Sequence, residues 1–143
     1  MIKRLLCGGL AVLGMVSIIA GAADAPASLM ARYAQEAGVP VSALSATRGA
    51  VLYRAEHPGR NGQAVSCAGC HTANPKQAGR SRVGKRIEPM ATAANPDRFT
   101  DALKVDKWFR RNCQDVLQRE CSAQEKGDFI AWLSQVQQTE IIH

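Results

Sequence analysis

The sequence predicts an all-α protein, and two observations support that fold class. Apolar residues recur at helical spacing in several segments, and signals for helix start and stop bound those segments. No run of residues alternates between apolar and polar side chains as a half-buried strand does. The 143 residues suffice for one domain with a single core, although only two Trp, two Tyr and three Phe are available to fill it.

The start of the chain has the order of a secretory signal peptide. Two basic residues precede an apolar run, residues 5–20, and a stretch of small residues, 20–23, follows it. The run is shorter than the roughly 20 residues of a membrane span, and glycines interrupt it. We therefore predict a removed signal peptide over residues 1–22, a mature domain over residues 23–143 without a membrane span, and a periplasmic location.

The charge of the chain indicates what kind of partner it meets. There are 18 Lys and Arg residues against 12 Asp and Glu, and loss of the signal peptide removes two basic residues, which leaves a net charge of +4. A basic protein outside the cytoplasm has little access to nucleic acid, so no nucleic-acid partner is expected. The charge is interpreted either as a docking surface for an acidic partner or as an aid to solubility.

Two helices are predicted in the first part of the mature chain. The first covers residues 25–38, where Leu29 and Tyr33 share one face, and it ends at Gly38. The second covers residues 47–56 and ends before a Pro-Gly pair.

Two further helices are predicted near the end of the chain. One begins at Thr100 as N-cap, and a single stripe of it holds Val105, Trp108, Phe109 and Asn112. The opposite side of this helix carries a basic face of Lys104, Lys107, Arg110 and Arg111. The last helix begins with a capping box from Ser122 to Glu125, and its predicted buried face is Phe129, Trp132, Leu133 and Val136.

The motif with the clearest chemistry is Cys67-Ala68-Gly69-Cys70-His71. Two thiols three positions apart can each form a thioether to a haem vinyl group, and the next imidazole then reaches the iron. A dithiol redox site does not need the histidine, and a structural zinc site would need a second ligand pair at matching spacing. We therefore predict one covalently attached haem c, with His71 as an axial ligand.

The segment from residue 72 to residue 97 has no periodicity, and three residues in it precede proline, which favours extended or turn conformations. A loop of this length needs a surface on which to pack. We expect the haem to provide that surface.

Cys113 and Cys121 flank a short segment between the last two helices. Removal of the signal peptide takes Cys7 with it and leaves four of the five cysteines. In an oxidising compartment this even number favours a disulfide between Cys113 and Cys121, and two unpaired buried thiols are the alternative.

Four residues are candidates for the sixth iron ligand, and one of them, His143, is terminal and expected to fray. Met90 lies in the loop, where it is either a ligand or an apolar filler at the haem edge. His57 precedes a turn and is expected to be exposed to solvent. Asn112 is polar within an apolar stripe, and from the pattern alone a helix C-cap or a hydrogen bond to the backbone explains it best.

Several segments of the chain resemble the small cytochrome family of the sphaeroides haem protein and cytochrome c double-prime. They are Cys-Ala-Gly-Cys-His-Thr at 67–72, Val-Gly-Lys-Arg-Ile-Glu-Pro-Met-Ala at 83–91, Asp-Arg-Phe-Thr-Asp at 97–101, Lys-Val-Asp-Lys-Trp-Phe-Arg-Arg-Asn-Cys at 104–113, and Ala-Trp-Leu at 131–133. The resemblance implies a class I-like cytochrome c fold of four to five helices around one haem.

The resemblance also implies the ligands and the disulfide. It makes His71 and Asn112 the axial ligands, with a high-spin ferric iron from which Asn112 departs on reduction, and it pairs Cys113 with Cys121. Met90 stands where the family has another apolar residue, so Met90 stays the alternative sixth ligand.

The function implied by the resemblance is electron exchange with a dihaem c-type cytochrome and binding of oxygen, nitric oxide or carbon monoxide by the reduced protein. An enzyme that reduces oxygen or a nitrogen oxide is the alternative from another class, and an ordinary His/Met electron carrier is a third. Such an enzyme would need positioned proton donors. The loop over residues 72–97 contains no histidine, so we expect a carrier and gas-binding protein rather than an enzyme.

Overall fold

Residues 25–136 are described by the computed structural model, and within them the chain forms five α-helices. These are α1 (Ala25–Glu36), α2 (Ala46–Arg54), α3 (Cys67–His71), α4 (Ala102–Val116) and α5 (Ala123–Gln135). The predicted signal peptide lies outside the described residues. Within residues 25–136, no helix combines the length and the apolar character that crossing a membrane requires.

The expectation that the chain forms no strand is wrong in detail. Strand β1 (His57–Pro58) pairs antiparallel with β2 (Ala64–Val65), and β3 (Gly79–Arg80) pairs antiparallel with β4 (Arg86–Ile87). Each strand has only two residues, which is too short for an alternating pattern to be visible in the sequence. The two hairpins lie before and after α3 in the chain.

Side-chain caps explain where α2 and α5 begin. The Ser45 hydroxyl accepts a hydrogen bond from the Arg48 N–H at 3.2 Å, so α2 begins at Ala46, one residue before the predicted start. The predicted capping box of α5 is confirmed, since the Ser122 and Glu125 side chains each accept from the other residue's backbone N–H.

Helix α4 begins one residue later than predicted. Asp101, not Thr100, is its N-cap, because the Asp101 carboxylate accepts from the Lys104 N–H at 3.0 Å. The Thr100 hydroxyl donates instead to the Asp97 carbonyl at 2.8 Å. A carboxylate at this position both accepts the hydrogen bond and interacts favourably with the positive end of the helix dipole.

The core forms around α5, which packs against both α1 and α2. Its buried cluster consists of Leu29, Tyr33, Tyr53, Phe99, Phe129, Ile130 and Leu133. Phe129 and Leu133 are buried as predicted, whereas Trp132 and Val136 are only half-buried. Ile130 is fully buried although it was not placed on the predicted face. Because two helices cover α5, the buried arc of this helix is wider than one stripe.

A glycine permits the closest approach between α2 and α5. A Cβ atom on Gly49 would lie 2.1 Å from the Asp128 carbonyl oxygen. The Asp128 side chain, which is 4% exposed, accepts hydrogen bonds from the Ser45 N–H at 2.6 Å and from the Arg48 Nε–H at 2.7 Å. The buried carboxylate is therefore paired, as a charge in this position must be.

Helix α4 is attached to α1 and α5 by side chains of its inner face. Arg32 donates to the Asp106 carboxylate at 3.0 Å, and the Tyr33 hydroxyl donates to the same carboxylate. The Phe109 ring meets the rings of Tyr33 and Phe129 edge to face, at centroid distances of 5.9 and 5.5 Å. These contacts determine which face of α4 is turned toward the core.

A disulfide connects the end of α4 to the start of α5. The sulfur atoms of Cys113 and Cys121 are bonded, and both residues are buried. The segment between them also contacts the β1–β2 hairpin, because the Gln118 side-chain amide donates to the Pro58 carbonyl at 2.5 Å. The last turn of α4 is therefore held from two sides.

Candidate functional site

Helix α3 presents two thiols and one imidazole in little more than one turn. Ser66 caps it, since its hydroxyl accepts from the Gly69 N–H at 3.1 Å, and the helix ends at Thr72, whose φ of 67° is left-handed. Cys67 and Cys70 are the unpaired cysteines of residues 25–136, and both are half-buried. Cys67 packs against the core cluster. The thiols therefore lie at the edge of the core, where an apolar group attached to them would be covered.

The His71 imidazole is in the neutral form that metal coordination requires. Burial, with a further contribution from the positive charge of Arg98, lowers the pKa of His71 to about 4. Its Nδ1 atom is buried and has no hydrogen-bond partner among the described residues. A buried polar atom without a partner is unusual in a folded protein, and it marks His71 as a functional rather than a structural histidine.

The thiols do not have the properties of a dithiol redox site. Burial raises the pKa of the Cys67 thiol to about 11, whereas redox-active cysteines in such motifs have lowered pKa values. The zinc alternative also lacks support, because residues 25–136 contain no group of three or more His, Cys, Asp or Glu side chains placed to hold a metal ion. The donor set fits covalent haem attachment.

Two residues outside the motif hold α3 in position. The Tyr53 hydroxyl lies 3.0 Å from the His71 carbonyl oxygen and 2.7 Å from that of Thr72, and it donates to them. Gly79 of β3 lies so close that a Cβ atom on it would be 2.0 Å from the Cys70 carbonyl oxygen. Neither contact was predicted, because each joins residues from different elements. Both fix the backbone that carries His71.

Replacing Tyr53 with Phe is expected to lower the free energy of unfolding by about 1 kcal/mol, because two partly buried carbonyls lose their side-chain donor. It should also shift the reduction potential, since the backbone of His71 is no longer held. Denaturant titration and redox titration of the haem-loaded protein measure the two effects. Tyr33→Phe is the matched control, because Tyr33 is equally buried but bonds Asp106. Equal potentials in both variants would show that Tyr53 acts on stability alone.

Three of the candidates for the sixth ligand lie in different surroundings, and the fourth, His143, lies outside the described residues. His57 is half-buried and its Nε2 atom is buried without a partner in the described part of the chain, so the expectation of solvent exposure is wrong. Met90 is half-buried and packs against the core cluster. Asn112 is half-buried in the interior of α4, which continues to Val116.

The apolar stripe predicted on α4 is only partly buried. Val105 and Phe109 pack against the same cluster as Cys67 and Met90, so the structure brings the two regions together. Trp108 is 43% exposed, and the Arg111 guanidinium lies over its ring at 5.4 Å. The inner face of α4 is therefore formed by Val105, Phe109 and Asn112, which follow one another at intervals of four and three residues.

Arg98 belongs to this region although the chain pattern did not single it out as a site residue. Its guanidinium donates to the Pro89 carbonyl at 3.0 and 2.8 Å and to the Glu88 carbonyl at 2.6 Å. Burial lowers the pKa of Arg98, and its charge acts on His71. Arg98 thereby links the loop segment that precedes Met90 to the surroundings of His71.

Known proteins resemble this chain over most of its length. A family model described as a domain of unknown function, DUF1924, matches residues 40–133. Cytochrome c-type protein SHP from Cereibacter sphaeroides is 43% identical over 122 residues, which are 82% of this chain and 92% of that protein.

Two solved structures are also similar to this chain. Oxidised SHP, an oxygen-binding cytochrome c, has a TM-score of 0.69 and 44% identity over 76% of this chain and 94% of that chain. The solution structure of cytochrome c″ from Methylophilus methylotrophus, which concerns haem-ligand detachment, has a TM-score of 0.64 and 36% identity over 76% of this chain and 90% of that chain.

The fold and the site define a small all-α c-type cytochrome whose cofactor is a single, covalently attached haem c. One Cys-x-x-Cys-His motif in the sequence provides for one haem. The chain belongs to the family of the sphaeroides haem protein and cytochrome c″. The predicted fold class, the predicted cofactor and the resemblance noted in the sequence are thereby confirmed.

Proposed function

We propose that this protein is an exported, periplasmic cytochrome that exchanges electrons with a redox protein and binds diatomic gases once it is reduced. In this proposal His71 and Asn112 are the axial ligands of the ferric iron, and Asn112 departs on reduction. The haem c, when bound, supplies the iron that changes oxidation state and accepts the gas. The sixth ligand decides between this function and that of an ordinary His/Met electron carrier.

The observation that carries the proposal is the state of the Asn112 amide. Asn112 lies one turn after Phe109 on the inner face of α4, and the helix continues beyond it, so Asn112 is not a helix C-cap. No hydrogen bond connects its side chain to any residue within 25–136. Neither ordinary explanation for this residue, a helix C-cap or a hydrogen bond to the backbone, therefore applies. The half-buried amide on the inner face of α4, together with the family resemblance, supports a ligand role.

The position of Met90 argues against the alternative ligand. The Pro75 carbonyl, four residues after His71, accepts from the Met90 and Ala91 N–H groups at 2.8 and 3.0 Å. Arg98, whose charge acts on His71, binds the carbonyl of Pro89. The backbone that bears Met90 is therefore fixed, and the Met90 side chain packs against the core cluster, as an apolar filler does.

The chemistry of an amide ligand explains why the site would open on reduction. An amide oxygen is a hard and weak donor, which suits ferric iron better than the softer ferrous ion. Asn112 can depart without unfolding α4, because the disulfide and the Asp106 contacts hold both sides of that position. A relative with 44% identity is an oxygen-binding cytochrome c, which supports gas binding here. The resemblance further supports a dihaem c-type cytochrome as the redox partner.

Optical spectra of the haem-loaded protein test the proposed function. The ferric spectrum should be high-spin, and the ferrous spectrum should be five-coordinate before carbon monoxide is added and change fully after it. Ferric and ferrous forms are compared with and without carbon monoxide at one pH. A low-spin ferrous spectrum that carbon monoxide does not alter would instead identify a six-coordinate electron carrier and refute gas binding.

A further inference from the structure

We propose that the β3–β4 hairpin is the surface on which an acidic redox protein docks. The proposal rests on the proposed function, since it names where electrons enter the same haem site. It commits to a protein partner with a carboxylate-rich surface. The hairpin comprises strands β3 and β4 and the turn between them, residues 79–87.

The charged residues within this hairpin are all basic, and Glu88 follows it directly. The segment from residue 72 to residue 87 contains no Asp or Glu, and its basic residues are Lys76, Arg80, Arg82, Lys85 and Arg86. Arg86 pairs with Glu88 at 2.9 Å, and Arg80 donates to the Gly84 carbonyl. Within residues 25–136, Arg82 and Lys85 have no carboxylate partner. Two cations at the tip are therefore available to an acidic surface.

An apolar residue lies between those two cations. Val83 is 90% exposed and contributes nothing to the core of this protein. An exposed apolar residue surrounded by charged ones matches the arrangement of a docking surface, in which a small apolar centre is desolvated inside a polar rim.

The tip is already ordered before any partner binds. The Ser81 N–H donates to the Lys85 carbonyl at 2.8 Å, and the Lys85 N–H donates to the Ser81 hydroxyl at 3.1 Å. Gly84 takes the left-handed φ of 77° that closes the turn. Docking on an ordered turn loses less conformational entropy than docking on a loop that has to fold first.

The base of the hairpin contacts the haem-attachment helix directly. Gly79 is in such close contact with the Cys70 carbonyl that no side chain would fit between them. A partner bound at the tip is therefore connected to α3 through a few residues of ordered backbone. This contact provides a path through the backbone to the helix that bears Cys67 and Cys70.

The basic face of α4 is the competing surface. Lys104, Lys107, Arg110 and Arg111 are all exposed there, and so is Leu103. Asp101 and Asp115 are exposed on the same helix, whereas Asp106 is paired with Arg32 on the inner face. Two exposed carboxylates offset the four cations of α4, whereas Glu88 alone lies beside the five cations of residues 72–87, so the potential outside α4 is weaker than that outside the hairpin.

The test compares charge reversal on the two surfaces. The variants are Arg82→Glu with Lys85→Glu on the hairpin, and Lys104→Glu with Lys107→Glu on α4 as the matched control. The probe is reduced flavodoxin, an acidic redox protein. One electron leaves its flavin hydroquinone anion, which becomes the neutral semiquinone, and this electron reduces the ferric haem. Stopped-flow absorbance measures the second-order rate, and calorimetry measures the affinity of each variant for oxidised flavodoxin.

At about 10 mM ionic strength the hairpin variant should react at least about tenfold more slowly than wild type, and the difference should shrink as salt is added. The α4 variant should change by less than about threefold. Val83→Ser should weaken the affinity by about fivefold without changing the salt dependence. Equal losses in both charge variants, or a larger loss in the α4 variant, would overturn the proposal.

Two further measurements distinguish failure of the docking proposal from failure of the proposed function and from binding to a lipid surface. Reduction by a neutral hydroquinone and binding of carbon monoxide should be the same in all variants, so a failure of the proposed function would appear there and not in the docking rates. Vesicles of phosphatidylglycerol and phosphatidylcholine test a membrane surface instead. If the hairpin variant loses vesicle binding but reacts normally with flavodoxin, the surface binds anionic lipid and the docking proposal is wrong.

Discussion

Replacing either Cys67 or Cys70 with Ala is expected to leave a large fraction of the protein without stably attached haem. Each thiol forms one thioether, so a single variant retains at most one bond, and the double variant retains none. Both thiols are unpaired in the folded chain, which is the state that attachment requires. Extraction with acidified acetone, followed by mass measurement of the polypeptide, shows how much haem stays bound to each variant.

Removal of the disulfide is the matched control for this experiment. Cys113→Ala with Cys121→Ala also deletes two thiols, but at the junction of α4 and α5. This variant should keep its haem covalently bound while its free energy of unfolding falls by about 2 to 3 kcal/mol, the value expected for a short closed loop. Full retention of haem in both the Cys67 and the Cys70 variants would contradict the assignment of the motif.

The sequence was sufficient to predict features that depend on residues close together in the chain. The haem motif, the capping box at Ser122 and Glu125, and the buried Phe129 and Leu133 each depend on residues a few positions apart, and all of them are present in the fold. Helix bounds were less exact where two capping residues are adjacent. Asp101 rather than Thr100 is the N-cap of α4, because a carboxylate caps at least as well as a hydroxyl and also interacts with the helix dipole.

Contacts between distant elements could not be predicted from one sequence. The approach of Gly49 to Asp128 and that of Gly79 to Cys70 each need the positions of two elements, and a glycine alone does not say what lies against it. The hydrogen bonds from Tyr53 to the end of α3 are of the same kind. The burial of His57 Nε2 was missed for this reason too, since a turn-like sequence around it suggested exposure.

For Asn112, the sequence pattern and the structure favour different interpretations. From the pattern, a cap or a backbone hydrogen bond was the better explanation for an amide in an apolar stripe. The structure removes both, because α4 continues to Val116 and the amide has no partner within residues 25–136. What favours ligation is thus the loss of the ordinary explanations together with the family resemblance.

Replacing Asn112 with Val should leave the fold and the His71 ligation intact while opening the ferric site. Asn and Val have similar helix propensities, so α4 should form normally. If Asn112 occupies the ferric iron at least about nine-tenths of the time, its removal raises the apparent affinity for anions such as azide about tenfold or more, because the binding-competent fraction rises accordingly. Optical titration of the ferric protein with azide measures this affinity, and the ferrous affinity for carbon monoxide should stay nearly constant.

Two further variants make the Asn112 prediction specific. Asn112→His places a stronger donor at the same position, so the ferric spectrum should become low-spin. This result would show that residue 112 faces the iron, without relying on the properties of an amide ligand. Met90→Leu changes the volume of that side chain only slightly and should alter neither the spectra nor the azide affinity. If Asn112→Val instead keeps wild-type ferric spectra and affinities while Met90→Leu changes both, the sixth ligand is Met90, and this protein is a His/Met cytochrome.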